Sequence, residues 1–255
     1  MNRIWSLTAA ISCLLLVATA SSVASAAEIK VLSPIGLKPA MIELIPHFEK
    51  SSGDKVTVDY ATVAAIAGRI QKGEAADVAI ATRQQIANLQ KQGRIAEGSS
   101  VEIAKQGVGV FVRKGAPKPD ISSVETFKRT LLAAKSIAHS DPVRGGATAT
   151  YIAGLLGRLD IAADIKPKIT IFPPGVYDAI VKGEVEIGFG GISEIMADPR
   201  VELVGPLPAA LQNYTLFAAG IVASSKQQDA GKALIQFISS PDAAAVIKAK
   251  GYERP

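Results

Sequence analysis

The sequence predicts an α/β fold in two lobes around a central cleft. Three observations carry this. Short apolar strands alternate with amphipathic helices along almost the whole chain. The alternation runs once to about Gly107 and then begins again. Two long segments, 108–114 and 214–223, read as strands that cross between the halves. The expected division is a discontinuous first lobe, 27–107 plus 214–255, and a second lobe, 108–213.

The elements follow in order. EIKVLS (28–33) is an alternating-to-apolar strand. LKPAMIELIPHFEKSSG is a helix, with Met41, Leu44, Ile45 and Phe48 at helical spacing. Pro39 suits its first turn and Gly53 its stop. KVTVDYA is the next strand and AAIAGRIQKG a helix ended by Gly73. ADVAIA is a strand, RQQIANLQKQG a helix closed by Gly93, and VGVFVRK a β-branched strand. The second round starts with SSVETFKRTLLAA, a helix with a serine cap and an acidic first turn. SIAHSD, KITIF and VEIGFG are strands, separated by the helices ATYIAGLLGRL and GVYDAIVKGE. VELVGPLP is extended, YTLFAAGIVA is a strand, and DAGKALIQFISS and PDAAAVIKAKG are closing helices.

The N-terminus reads as an export leader. Arg3 precedes the apolar run LTAAISCLLLVATA, and small residues at Ala24 and Ala26 form a cleavage pattern. Cleavage is expected after Ala26, with Ala27 as the alternative, placing the mature protein in the periplasm. The single cysteine, Cys13, lies in the leader, so the mature chain has no disulfide, thiolate nucleophile or cysteine metal site. Net charge is +5, but the lysines are scattered and not interleaved with aromatics. Nucleic acid is therefore not an expected partner. The sequence has no HExxH, P-loop or GxGxxG motif and no triad spacing, and its two histidines lie far apart. Neither a metal nor a cofactor is expected.

Chemistry is expected where strands turn into helices, because helix N-termini carry unpaired N–H groups and a positive dipole. Four such turns would converge if the two sheets face each other: SPIGLKP (33–39), YATVAA (60–65), SDPVRGGATAT (140–150) and FPPGVY (172–177). The candidate ligand-binding residues are Gly36 and Leu37, Thr62 and Val63, then Arg144, Gly145, Gly146, Ala147 and Thr148, then Gly175 and Gly191. Each turn also reads as a plain connector, and Arg144 as a solvated surface arginine. His139 reads as a packed histidine or a proton-transfer group. Asp141 and Glu194 are the carboxylates expected nearest the cleft, and His47 reads as solvated.

The segments VLSPIGLKPAMIELIPHFEKSSG, GEAADVAIAT, SDPVRGG, KGEVEIGF and FISSPDAAAVIKAKGY resemble the periplasmic molybdate-binding protein family of ABC importers. The resemblance spans the mature chain. It implies a type II periplasmic-binding-protein fold with two crossover strands and a hinge; the expected partners are a small anionic ligand and an ABC permease, and the expected state is a monomer. The contact positions depart from the family pattern. Gly36 stands for a serine, Val63 (beside Thr62) for a second serine, and Gly191 for a tyrosine. Pro173 stands where a backbone donor is needed and has no N–H. Ala147 matches. The expected ligand is thus an anion other than molybdate, such as an organic carboxylate, captured for import. An enzyme on the same scaffold, aconitate isomerase, resembles these proteins too, so a periplasmic isomerase of that type is the alternative. Asp141, His139 and Glu194 are then the base candidates, with no catalytic residue assigned.

Overall fold

The computed structural model describes residues 26–173 and 175–255. The expected leader with Cys13 lies outside the described residues, save Ala26. The fold is mixed α/β, and eight of nine strands form one hydrogen-bonded path in the order β2 (Lys55–Ala61), β1 (Glu28–Pro34), β3 (Val78–Thr82), β9 (Tyr214–Ile221), β4 (Val101–Arg113), β7 (Ile187–Gly191), β5 (Ile137–Ser140) and β6 (Ile169–Phe172), with β8 (Val201–Pro206) attached to β4.

The first round comprises β1 (Glu28–Pro34), α1 (Lys38–Ser52), β2 (Lys55–Ala61), α2 (Val63–Gln71), β3 (Val78–Thr82) and α3 (Arg83–Lys91). Strand β1 lies between β2 and β3 and is parallel to both, with Glu28 opposite Lys55 and Pro34 opposite Ala61. Pro39 sits in the first turn of α1, and Gly53 ends it with φ 83°. Thr62 caps α2, its hydroxyl accepting the Ala65 N–H at 3.3 Å.

Strand β4 (Val101–Arg113) joins the rounds. Its 101–107 half pairs antiparallel with β9 (Tyr214–Ile221), and its 108–113 half with β7 (Ile187–Gly191) and β8 (Val201–Pro206). The strand begins seven residues earlier than the apolar run 108–114 implied, because Ile103, Ala104 and even Gln106 are buried while the neighbouring Glu102 and Lys105 are only partly so. At β9 the chain crosses back from the second round to the first. Strand β9 pairs with β3 and with the 101–107 half of β4, not with strands of the second round.

The second round contains α4 (Val124–Ala133), β5 (Ile137–Ser140), α5 (Ala147–Arg158), α6 (Ala162–Ile165), β6 (Ile169–Phe172), α7 (Val176–Lys182) and α8 (Ile192–Ala197). Strand β5 is parallel to both β6 and β7. The closing helices α9 (Gln228–Ile238) and α10 (Pro241–Ala249) return to the first round. Their Leu234, Ile238 and Ile247 pack with Met41, Leu44 and Phe48 of α1 on β1, β3 and β9. On the other face of that sheet, Ile66, Ile70, Ile86 and Leu89 form a second layer. The second round has its own two layers, one around Phe127, Ile152 and Leu155 and one around Phe111, Ile180 and Ile195. Each fully buried side chain of this size contributes roughly 1.5–3 kcal/mol. Helices on both faces of each sheet leave the carboxyl ends of β1, β2, β5 and β6 free to border a shared cleft.

Candidate functional site

A cleft of about 330 Å³ lies between the two rounds. Its wall includes Gly36 from the end of β1, Thr62 and Val63 from the start of α2, and Arg144, Gly146, Ala147 and Thr148 from the β5–α5 turn. Gly175 and Tyr177 come from the start of α7, Glu194 from α8, and Gln106 from the middle of β4.

The β5–α5 turn is built to present donors. Asp141 ends the strand and accepts the Val143 N–H at 2.9 Å, starting a single 3-10 turn over Pro142–Arg144. Gly145 closes that turn with φ 75°, a left-handed conformation that glycine adopts without strain. Gly146 caps α5 with no side chain, and Thr150 is the first residue of the helix to bond back, to the Gly146 carbonyl at 3.0 Å. The N–H groups of Ala147, Thr148 and Ala149 therefore have no partner among the described residues. The Arg144 guanidinium is exposed and makes no ion pair or hydrogen bond among the described residues.

The two rounds touch at this turn. The Ala64 N–H reaches the Gly145 carbonyl at 3.4 Å. A Cβ on Gly145 would come within 2.3 Å of the Ala64 Cβ, so the approach depends on glycine as much as the backbone angle does.

The opposite wall is built differently. In the β7–α8 turn, the Glu194 carboxylate folds back and accepts the Gly191 N–H at 3.3 Å. Burial pushes the Glu194 carboxyl above the usual carboxylate range, and the Gly191 N–H only partly offsets this. The Tyr177 ring stacks on Phe111, with centroids 4.7 Å apart. Its hydroxyl is shielded from solvent and has no hydrogen-bond partner among the described residues. Burial and the neighbouring Glu194 and Asp198 raise the Tyr177 hydroxyl well above its usual value. His139 is buried; its Nδ1 lies 2.8 Å from the Ser140 carbonyl, which can only accept, so that nitrogen carries a proton.

Gln106 ties the floor together. Its amide donates to the Ser193 hydroxyl, which donates to the Gly36 carbonyl at 3.3 Å. The Tyr252 hydroxyl donates to the same carbonyl. A side chain at Gly36 would place its Cβ 2.8 Å from the Gln106 amide oxygen. At Gly191 the Cβ would stand 2.1 Å from the Gln106 amide nitrogen and 2.6 Å from the Glu194 carboxylate. The serine or the tyrosine of the molybdate pattern would have to displace the Gln106 amide from this arrangement.

Of the residues expected at a site, Gly36, Thr62, Val63, Arg144, Gly146, Ala147, Thr148 and Gly175 border the cleft. Leu37 does not. It immediately precedes α1 and is 2% exposed, packed into the first core with the apolar face of that helix. Gly145 and Gly191 also do not line it; Gly145 shapes the contact with Ala64, and Gly191 lies beneath Gln106 and Glu194. Gln106 and Tyr177 escaped the sequence reading. Gln106 sits in a KQG stretch that resembles a connector, and Tyr177 follows Gly175 at a helix start where only the backbone drew notice. Their signal was polar atoms at positions whose neighbours are buried. Among the described residues, no group of three or more His, Cys, Asp or Glu side chains is gathered as a metal ion would require.

A family model described as bacterial extracellular solute-binding protein matches residues 29–253. The chain belongs to that family. This solute-binding-family chain is 34% identical over 230 residues to an aconitate isomerase from Pseudomonas sp, covering 88% of this chain and 86% of that protein. It is 26% identical over 236 residues to the molybdate-binding protein ModA of Azotobacter vinelandii, covering 90% and 91%. Its structure resembles the Azotobacter vinelandii periplasmic molybdate-binding protein with a TM-score of 0.71 at 21% identity, over 89% of this chain and 99% of that one. The fold is thus that of the ModA-type periplasmic binding proteins.

Proposed function

We propose that the protein is exported to the periplasm, with its leader removed after Ala26, and captures a small organic polycarboxylate for an ABC importer. One observation carries this: three unpartnered N–H groups at the start of α5 share a cleft with Thr148 and the unpaired Arg144. That set matches a carboxylate, which takes backbone donors and a guanidinium fork together. The volume, about 330 Å³, lies in the range of small-molecule sites. The relatives support an anion, since one is named for molybdate and another for the tricarboxylate aconitate. Gly36, Val63, Pro173 and Gly191 argue against molybdate itself, because none supplies the side-chain or N–H donor that the molybdate pattern has there.

Thermal melting with a panel of di- and tricarboxylates, molybdate and tungstate tests this reading. A ligand at about one hundred times its dissociation constant adds about 2.7 kcal/mol, which moves the melting temperature by several degrees in a chain this size. A polycarboxylate should do so and the metal oxyanions should not. Submicromolar binding of molybdate would overturn the assignment.

A second reading has its own support. The Glu194 carboxyl and His139 border the same cleft, and a base beside a bound unsaturated tricarboxylate is what an isomerase requires. Incubation with cis- and with trans-aconitate decides between them. Proton NMR that shows interconversion assigns an isomerase of the aconitate type, and unchanged spectra assign capture alone.

A further inference from the structure

Glu194 is a carboxylate in the wall of a cleft otherwise furnished for anions. It stands in the first turn of α8, ringed by protein but keeping some surface on the cleft. Its one hydrogen bond among the described residues is from the Gly191 N–H. No cation pairs with it among the described residues. Lys105 of β4 pairs with Glu253 at 3.1 Å, Lys38 of α1 lies over the Tyr60 ring, and Lys250 beyond α10 pairs with Glu43 at 2.7 Å. Arg200, past the end of α8, pairs with Asp178 and Asp198. The titratable groups around Glu194 are Tyr177 of α7, Tyr252 and Asp198, with His139, Asp141 and Arg144 on the β5 side of the cleft.

An ionised Glu194 in that setting is desolvated, has no counter-ion, and repels any anion that enters. A neutral one changes the chemistry of this wall. It offers an O–H to the cleft next to the unpartnered Tyr177 hydroxyl, making two donors where the sequence shows an acid. An incoming carboxylate would accept from the Glu194 O–H, and from the Tyr177 hydroxyl once its approach uncovers that shielded atom.

We propose that Glu194 enters the ligand complex as the neutral acid and donates a hydrogen bond to the anion, so that capture of a polycarboxylate takes up a proton. This rests on the reading of the cleft as a polycarboxylate site and sharpens it. One carboxylate of the ligand sits on the α5 turn with Arg144 and Thr148. A second sits against Glu194 and Tyr177. The ligand class is therefore an acid with at least two carboxylates on a short carbon chain. Burial already raises the Glu194 carboxyl, and a second negative charge beside it acts in the same direction.

The experiment is titration calorimetry with propane-1,2,3-tricarboxylate near pH 8, in two buffers of different ionisation enthalpy. This probe is saturated, so it reports capture whether or not the protein is an isomerase. The wild type should take up on the order of one proton per ligand, and its affinity should fall by up to about tenfold per pH unit above that. Glu194→Gln retains an oxygen for the Gly191 N–H; it should bind at least as tightly at pH 8 and take up no proton through this residue. Tyr177→Phe should weaken binding several-fold while leaving the proton uptake in place. Wild-type binding with no buffer dependence overturns the inference and leaves the cleft assignment standing. So does a folded Glu194→Gln variant that no longer binds. If neither this probe nor another polycarboxylate in the panel binds the wild type, the cleft assignment falls and takes the inference with it. The wild-type measurement stands alone if the variant does not fold.

Discussion

Two turns of this molecule begin alike and end as opposites. After β5 the chain runs Gly145-Gly146 into α5, and β7 itself ends in Gly190-Gly191, which lead directly into α8. In both, the second glycine caps the helix with extended backbone, φ −76° at Gly146 and −69° at Gly191. The difference lies in what flanks the pair. The first turn is preceded by Arg144 and followed by Thr148, and its helix N–H groups open on the cleft. The second is followed by Glu194, whose carboxylate folds back on the Gly191 N–H. A Gly-Gly turn into a helix is thus not by itself an anion site. One side chain three residues into the helix decides whether the positive end of the dipole is offered to a ligand or met by the protein's own acid.

The largest expected effect comes from the open turn. Arg144→Ala should weaken polycarboxylate binding by about tenfold to a hundredfold, the worth of roughly 1.5–3 kcal/mol for a charged hydrogen-bonded contact. The melting temperature without ligand should stay near wild type, since the guanidinium is exposed and contacts no partner among the described residues. Paired titrations and melts on one preparation check both halves. Unchanged affinity would make this turn a connector and remove the contrast.

The two capping glycines should respond unequally to the same change. A Cβ at Gly146 would meet only the Ala149 Cβ, at 3.8 Å. Gly146→Ala should therefore cost no more than about 1 kcal/mol, from the weaker cap. At Gly191 the added carbon would lie 2.1 Å from the Gln106 amide nitrogen. Gly191→Ala should cost about 1–3 kcal/mol, the usual penalty for overfilling a packed site, and lower the melting temperature by several degrees. Equal melts for the two variants would mean that Gln106 moves aside freely and that the α8 turn can accept the larger residue of the molybdate pattern.

This asymmetry also shows how far a sequence can be read. The alternation of strands and helices, the Thr62 cap and the donor-bearing β5–α5 turn follow from local patterns, because helix period, capping and glycine freedom act within a few residues. The helix α8 has no Ser, Thr, Asp or Asn at its cap, and its six residues are too few for a periodic signal. Only the Glu194 side chain closing on Gly191 marks it. Leu37 was expected at the site for its place in the first turn, yet the apolar face of α1 claims it for the core. Gln106 belongs to the floor because β4 threads between both rounds, and such a long-range placement leaves no trace in neighbouring residues.

A smaller effect separates side chain from backbone within the open turn. Thr148→Val removes one hydroxyl and keeps the branched shape. It should weaken binding by about 0.5–1.5 kcal/mol, a few-fold to about tenfold, and leave the fold intact. The N–H groups of residues 147–149 remain in the variant, so a loss as large as that of Arg144→Ala would mean that the hydroxyl, not the helix terminus, organises this end of the cleft.

The smallest effect concerns the closed turn and needs no ligand. Burial raises the Glu194 carboxyl in the folded protein above its value in the unfolded chain. Between those two values the folded state holds more protons than the unfolded state, so stability falls as pH rises. The cost is absent below the unfolded value, near 4.3 for a glutamate, and complete once pH passes the folded one. Glu194→Gln cannot ionise and escapes that cost. Melting curves of wild type and variant should therefore coincide most closely near pH 4 and separate as pH rises, with the variant the more stable at pH 8. His139 and the other titratable groups are common to both proteins, so they cancel in the difference. A wild type that gains on the variant between pH 4 and pH 8 would mean that the ionised carboxylate is the favoured cap of Gly191. The turn after β7 would then be closed by charge, and the contrast with the turn after β5 would rest on where each helix end points and not on the state of the acid.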